Sequence, residues 1–425
     1  MAIKQQTYYC IDMKTFYASV ECAERGLNPF ETNLVVADVS RGSNALCLAV
    51  SPKLKAQGVR NRCRLSEIPR GIKYIIAPPQ MQLYIDYAAD IYDIYLDYIS
   101  PDDIHVYSID ESFIDATPYL NVYNTDDVSF AKFLVQEIAR RKHIPATAGI
   151  GTNLYLAKIA LDITAKKNKS HIGYLDEKTY CDTLWRHRPI NDFWQVADGT
   201  ANRLARYAIY DMYGVAHSPI DLLYKEFGVN AELLIDHAWG RESCTIADIK
   251  AYKSKSHSVS FSQILPRDYS FDEARIVMTE MVQHGAYELM KRHVVSSRVG
   301  IYVGYSKSEI PSVHAAARLG LVTALNSKFA PLLKDLYDKN VSRTVPIRRL
   351  GIDFEDVVDE SYESYDLFTD INEVEREKSR ERTVLALKEK FGKNSILVGT
   401  NYLDCATQRE RNTFIGGHRA GNDTK

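Results

Sequence analysis

The chain has 425 residues, 45% of them hydrophobic and 25% charged, with a formal net charge of −2. That is a globular composition, long enough for two to four domains of roughly 150 residues each, and it excludes disordered, collagenous and small disulfide-stapled chains. No apolar run approaches ~18 residues and the N-terminus has no apolar signal region, so neither a membrane helix nor secretion is expected. Seven scattered cysteines with no CxxC pair read as reduced thiols of a cytoplasmic protein without a zinc site.

Residues 7–12 (TYYCID) read as a buried strand. Residues 27–76 form an insertion before the next element. Met81, Tyr84, Ala88, Ile91, Tyr95 and Tyr98 recur at three- and four-residue steps, predicting an amphipathic helix that stops at Ser100-Pro101. Residues 104–109 and 112–116 are β-rich runs parted by Asp110-Glu111, a hairpin pattern. Phe130, Phe133, Leu134 and Ile138 mark a second helix ending in Arg140, Arg141 and Lys142, and ATAGIG (146–151) is a further strand. The order strand, helix, strand, strand, helix, strand is the split β-α-β, ferredoxin-like unit. A right-handed crossover sets the third strand between the first and second, which brings Asp12, Asp110 and Glu111 to one edge of one sheet.

A helix follows from Asn153 to about Lys167. Residues 172–245 read as all-helical, with 200–214 and 218–228 as candidate helices, and 253–258 (KSKSHS) as a polar linker. Strands at 258–265, 296–306 and 344–357 and helices at 270–293 and 322–339 form a second α+β module. The tail carries an acidic stretch and then a charged helix that Gly392 stops. No internal repeat is visible.

Charge is unevenly spread. Between Lys73 and Lys132 there is no Lys or Arg, whereas the gap holds eleven Asp and Glu, among them Asp110 and Glu111. Basic stretches flank it, and such asymmetry says more than the total. Clustered carboxylates without cations repel one another unless a metal sits among them or some are protonated. Hard oxygen ligands select Mg²⁺ or Mn²⁺, and two such ions can activate an attacking hydroxyl and stabilise a leaving phosphate. Arg60, Arg62 and Arg64 alternate, so in extended backbone they face one side. Lys158, Lys166 and Lys167 are candidate phosphate cations on the helix after the last strand. There is no P-loop, HExxH, GxSxG or dinucleotide glycine triplet.

IDMKTFYASVE (11–21), YSIDESFID (107–115) and GIGTNLYLAKIA (149–160), in this order and spacing, resemble the Y-family DNA polymerases. The likeness is greatest to the UmuC-like (ImpB/MucB/SamB) branch of Gram-positive bacteria, and it covers essentially the whole chain. The resemblance implies an α+β fold: a ferredoxin-like palm (1–26 and 77–170) with inserted fingers (27–76), a helical thumb (171–250), an α/β little finger (251–355) and a partner-binding tail (356–425). It implies two Mg²⁺ (or Mn²⁺) ions on Asp12, Asp110, Glu111 and the Met13 carbonyl. Tyr17 would gate the sugar with Phe16 beside it. Ser51, Lys55, Ser108 and Lys166 would complete the nucleotide site, with Lys167 an alternative to Lys166. Lys14 departs from the Asp or Asn of many relatives, and Pro52 from a Tyr common in another branch. VADGTANRL (196–204) resembles a degraded helix-hairpin-helix, which binds DNA phosphates through backbone N–H groups.

The implied activity is error-prone, template-directed translesion synthesis in the DNA damage response, with primer-template DNA and dNTP as substrates. DNA contacts are expected from Arg60, Arg62, Arg64 and Lys255, in a little finger with fifteen Lys and Arg against ten Asp and Glu. Candidate partners are a sliding clamp through Ser364–Phe368 and an UmuD-like accessory protein or RecA. The rivals are a template-independent nucleotidyl cyclase, which needs no DNA-binding module, and a non-catalytic DNA- or clamp-binding protein, which needs no carboxylates.

Overall fold

The computed structural model describes residues 6–254, 257–307 and 309–421, apart from the side chain of Lys167. The chain divides into two compact units: Met1–Tyr252 with Ala420–Lys425, and Lys253–Arg419.

The first unit runs β1 (Tyr8–Met13), α1 (Phe16–Glu24), β2 (Leu34–Ala37), β3 (Cys47–Val50), α2 (Pro52–Ala56), β4 (Ile75–Ala77), α3 (Met81–Leu96), β5 (Ile104–Val106) and β6 (Glu111–Asp115). It continues through α4 (Thr117–Val122), α5 (Asp127–Lys142), β7 (Ala146–Gly151), α6 (Leu154–Ile159), β8 (Ile172–Leu175), α7 (Glu177–Leu184), α8 (Asp198–Ala205), α9 (Met212–Ala216), α10 (Ile220–Phe227), α11 (Asn230–Ala238) and α12 (Ile246–Ala251). Its main sheet has the order β5-β6-β1-β7-β8, the ferredoxin-like order extended by one strand. β1 is central and covered on both faces, so its residues are buried almost without alternation. Tyr8 and Cys10 pack with Phe113, Leu154, Ala157 and Leu161. On the other face the Tyr9 ring meets Phe130 of α5, and its hydroxyl donates to the Asp127 carbonyl at 2.7 Å.

Glycines in β7 explain how closely α6 lies on the sheet. A Cβ at Gly149 would stand 2.1 Å from the Ala157 carbonyl oxygen, and one at Gly151 2.1 Å from the Ala157 nitrogen. Only glycine admits that approach, and it carries Lys158 up to the edge where β1 ends and β6 begins. Between α1 and α3, a small sheet of order β3-β2-β4 closes its own core over Val35, Val50, Leu54 and Val59. The end of the chain returns to this unit: the Ala420 carbonyl accepts from the Gln82 N–H at 2.9 Å, filling one of the unpaired donors in the first turn of α3.

The second unit runs β9 (Val259–Tyr269), α13 (Phe271–Lys291), β10 (Val294–Tyr305), β11 (Val313–Thr323), α14 (Asn326–Asn340), β12 (Ile347–Glu355) and α15 (Ile371–Phe391). Its sheet has the order β11-β10-β12-β9, with Val277, Met281, Ile301, Phe329 and Phe354 at the core. The buried Glu280 of α13 accepts from Asn401 Nδ2 (2.6 Å) and from the N–H groups of Thr407 (2.8 Å) and Gln408 (3.1 Å), fastening the tail to the unit.

Four expectations need correction. Residues 172–245 are not all helical, because β8 opens them and pairs in parallel with β7; four residues containing a glycine show no period. The run 200–214 is two helices, broken where Ala208 turns left-handed (φ 58°). β11 went unread because His314, Ala315, Ala316, Ala317 and Gly320 are weak strand formers; the neighbouring helix starts only at Asn326. The helix after β7 is α-helical only to Ile159 and finishes in a π turn and a 3₁₀ turn.

Candidate active site

Asp12 and Glu111 sit opposite each other in the β1–β6 register. The hairpin tip is tighter than its sequence suggests: the N–H groups of Tyr107 and Ser108 both donate to the Glu111 carbonyl. Glu111 therefore opens β6, and Asp110 alone stands on the turn. The Met13 N–H donates to the Asp110 carbonyl at 2.9 Å, tying the tip to the end of β1. Ser108 Oγ donates to Asp110 Oδ1 at 2.7 Å.

The three side chains do not form one cluster. Glu111 turns to Lys158, 2.6 Å from its Oε1, and also accepts from the Cys10 thiol at 3.0 Å. Among the described residues no group of three His, Cys, Asp or Glu could hold a metal ion. The expected repulsion is relieved in two ways. Burial by itself would lower the Lys158 ammonium, but Glu111 and Asp162 hold it charged, above its ordinary range. Among the described residues the Asp12 side chain has no partner closer than Lys166 Nζ, at 3.6 Å. Burial, joined by Asp110 and Glu111 and opposed by Lys166, pushes its carboxyl up to about 6. Asp12 and Asp110 are thus hard oxygen donors with charge left to neutralise, which fits Mg²⁺, an ion held by one or two carboxylates with substrate phosphates completing its shell.

Cations line the same edge. Lys166 bonds Asp162 at 2.7 Å, and Asp162 also meets Lys158 at 3.2 Å. Lys55 on α2 is lowered by burial, with the Asp12 charge opposing and Lys166 reinforcing. Lys14 Nζ lies 2.8 Å from His171 Nδ1. A sharp left-handed turn at Thr15 (φ 47°) starts α1. Beyond it Phe16 goes into the core, 2% exposed, whereas Tyr17 stays half-buried and is raised by burial and by the Asp110 charge.

Two expected site groups are placed differently. Ser51 is fully buried. Its hydroxyl donates to the Thr32 carbonyl at 2.7 Å and accepts from the Leu34 and Leu54 N–H groups. It caps α2 and so positions Lys55, with no hydroxyl left for a nucleotide. Arg60, Arg62 and Arg64 are exposed, but the extended backbone that would set them on one side is broken where Arg62 turns left-handed (φ 59°). Lys255 lies outside the described residues. Sequence reading missed Cys10 and Asp162 as partners of the edge, and the Lys14–His171 contact. Of these, the i, i+4 spacing of Lys158, Asp162 and Lys166 was legible.

With this geometry in hand, the likeness to known proteins is informative. The fold matches the solved structure of a Y-family DNA polymerase chimera, Dbh-Dpo4(243-245)-Dbh, with a TM-score of 0.64 and 19% identity over 83% of this chain and 99% of that one. The impB/mucB/samB family model matches residues 11–162, and its C-terminal domain model matches 255–367. The chain is 31% identical over 97% of its length to a Bacillus subtilis (strain 168) protein named for UV-damage repair, UvrX, and covers 97% of it. It is 29% identical over 98% of its length to "DNA polymerase IV 2" of the same organism, covering 99% of that protein. The chain belongs to the impB/mucB/samB family, the UmuC-like branch of the Y-family polymerases.

Proposed function

We propose that the protein is a DNA-directed DNA polymerase that extends a primer opposite damaged template, with low fidelity, in the cytoplasm as part of a DNA damage response. One observation carries the reading: two under-neutralised carboxylates, Asp12 and Asp110, share a sheet edge with Lys166, and Tyr17 lies within the field of Asp110. The reaction joins the primer 3′-oxygen to the α-phosphorus of a dNTP. It breaks the bond to the bridging oxygen, and pyrophosphate leaves.

Asp12, Asp110, the Met13 carbonyl and a Glu111 released from Lys158 would hold two divalent ions, Mg²⁺ or Mn²⁺. Such ions lower the pKa of an attacking hydroxyl and neutralise charge on the leaving group. Lys166 and Lys55 orient the triphosphate by charge. Ser108 fixes the Asp110 rotamer. Tyr17 excludes a ribose 2′-hydroxyl. Positioning and charge neutralisation supply most of the rate. Arg60, Arg62 and Arg64, which enter no ion pair among the described residues, are free to meet DNA phosphates. We assign clamp binding to Ser364–Phe368. Ser364 pairs with Val322 through two 3.0 Å backbone bonds, and Leu367 and Phe368 project 99% and 96% exposed.

The test is primer extension on templates of different sequence with Mg²⁺ and all four dNTPs, run beside Asp110→Ala. Extension that follows the template and is lost in the variant supports the reading. Extension that ignores the template, or that survives in Asp110→Ala, overturns it.

A further inference from the structure

One cation at the carboxylate edge has no counter-charge of its own. Lys14 directly follows β1, and its N–H donates to the Pro145 carbonyl at 2.8 Å, just ahead of β7. It is half-buried, and its Nζ lies 2.8 Å from Nδ1 of His171. His171 stands in a left-handed turn (φ 58°) just ahead of β8, and its carbonyl accepts from the Ala148 N–H of β7 at 2.9 Å. An ammonium has only donors, so the contact makes Nδ1 the acceptor and keeps the ring neutral, with its hydrogen on Nε2.

The other palm lysines are answered by carboxylates. Lys158 and Lys166 both pair with Asp162, and Lys158 pairs with Glu111 as well. Lys14 enters no ion pair among the described residues. Burial lowers its ammonium, the Asp12 charge opposes, and Lys166 and Lys55 add to the lowering. A neutral acceptor fixes the position of a cation without cancelling its charge. A carboxylate in the place of His171 would hold it as well and remove the cost of the buried charge, so fastening alone does not explain the choice.

The order of the sheet gives these charges a direction. Asp110 stands on the β6 side and Asp12 on β1, whereas Lys14, His171 and Lys166, in the turn that leads to β8, stand on the side of β7 and β8. A triphosphate whose α-phosphorus lies at the carboxylates therefore meets these cations with its far end.

We propose that Lys14, held in place by His171, binds the terminal phosphates of the incoming nucleotide, the part that leaves as pyrophosphate. The proposal rests on the reading of Asp12 and Asp110 as the site of phosphoryl transfer. His171 takes one of the three N–H donors of Lys14, which leaves two for phosphate oxygens. Lys14 is the binding residue, and His171 is a positioning residue that acts through it.

The test measures the Kd of a non-hydrolysable dNTP and the inhibition constant of inorganic pyrophosphate, both with primer-template and Mg²⁺, beside KM and kcat for the dNTP. The proteins are wild type, Lys14→Gln, Lys14→Arg, His171→Ala, the Lys14→Gln and His171→Ala double variant, and Lys55→Ala. Lys14→Gln removes the charge. It should raise the dNTP and pyrophosphate constants together by about tenfold or more, the scale of one hydrogen bond to a charged group. Its kcat should stay within about threefold of wild type, because ground state and transition state lose the contact alike. Lys14→Arg keeps the charge and should stay within about threefold in every constant. His171→Ala frees the ammonium and should raise both constants by about two- to threefold, with no further rise when added to Lys14→Gln. Thermal unfolding identifies any variant that fails to fold, and if Lys14→Gln is one, His171→Ala still exposes the proposal.

Unchanged constants in folded Lys14→Gln, with raised ones in Lys55→Ala, would overturn the role of Lys14 and leave the triphosphate site in place. A Lys14→Gln protein altered only in its affinity for Mn²⁺ would mean that Lys14 compensates Asp12 and meets no phosphate, which also overturns the proposal. Absence of templated extension by wild type would overturn the polymerase reading, and the proposal with it.

Discussion

Two buried or half-buried carboxylates, one in each unit, are treated in opposite ways. Glu280 in the second unit accepts three hydrogen bonds within 3.1 Å from Asn401, Thr407 and Gln408. Asp12 in the first has no partner within 3.5 Å among the described residues and a cation at 3.6 Å, and burial, joined by two acidic neighbours, pushes it up to about 6. Folding alone can satisfy a carboxylate completely, as Glu280 shows. A carboxylate left short of partners beside other acids is therefore reserved for something that arrives later, and its cost is carried by the rest of the fold. Glu111 falls between the two: Lys158 already pairs with it, and it must exchange that partner to take another.

Substitutions can break or sharpen this contrast. The largest effect is expected at Asp12. Asp12→Asn should lower the rate of primer extension by about a thousandfold or more, the scale of losing a group that stabilises transition-state charge. Next comes Glu280→Ala, which strands the Thr407 and Gln408 N–H groups inside the second unit. It should cost about 3 kcal/mol in urea unfolding, and a loss below about 1 kcal/mol would erase the contrast.

Glu381 offers a graded case, because it is buried with Oε2 unpartnered among the described residues. Burial and then Glu377, opposed by Arg380, raise it to about 7, and Tyr287 of α13 feels its charge. An acid raised on folding binds its proton more tightly in the native state. The contribution of Glu381 to stability should therefore be fully present below about pH 4, fall as pH rises through the window up to about 7, and stay level above it. Glu381→Gln should flatten that slope and add about 2 kcal/mol at pH 8, as measured by urea unfolding across the range. The smallest effect is expected at Arg60, an exposed guanidinium. Arg60→Ala should leave unfolding within about 0.5 kcal/mol, weaken DNA binding by roughly the same factor on every sequence and reduce the salt slope by about 1.

Much of the carboxylate edge was legible because its information is topological. An unbroken apolar strand ending in Asp12, a helix of period 3.6 and a hairpin at Asp110 fix the sheet order, and the order fixes which carboxylates share an edge. What the side chains do there was not legible, because Lys158, Cys10 and His171 reach the edge through packing. Gly149 and Gly151 stood in the sequence, but the helix that they let settle onto the strand did not. Alternation misled at Arg60 to Arg64, since one left-handed residue rotates everything after it. Ser51 read as a ligand because its type suits both a phosphate and a helix cap, and only burial separates the two. Tyr84 read as a core position, which it is, and its ring stacks on Tyr17, 67 positions away in the sequence.

The most direct test of the reserved-carboxylate account is Mn²⁺ binding, followed by electron paramagnetic resonance, paired with thermal unfolding in metal-free buffer, for wild type and Asp12→Asn. The expected result is that Asp12→Asn loses bound Mn²⁺ in the presence of primer-template and a non-hydrolysable dNTP, yet unfolds at the same or a higher temperature than wild type without metal, because a repelled charge has been removed. An Asp12→Asn protein that binds Mn²⁺ as wild type does and unfolds at a lower temperature would mean that Asp12 holds the fold together and receives no ion.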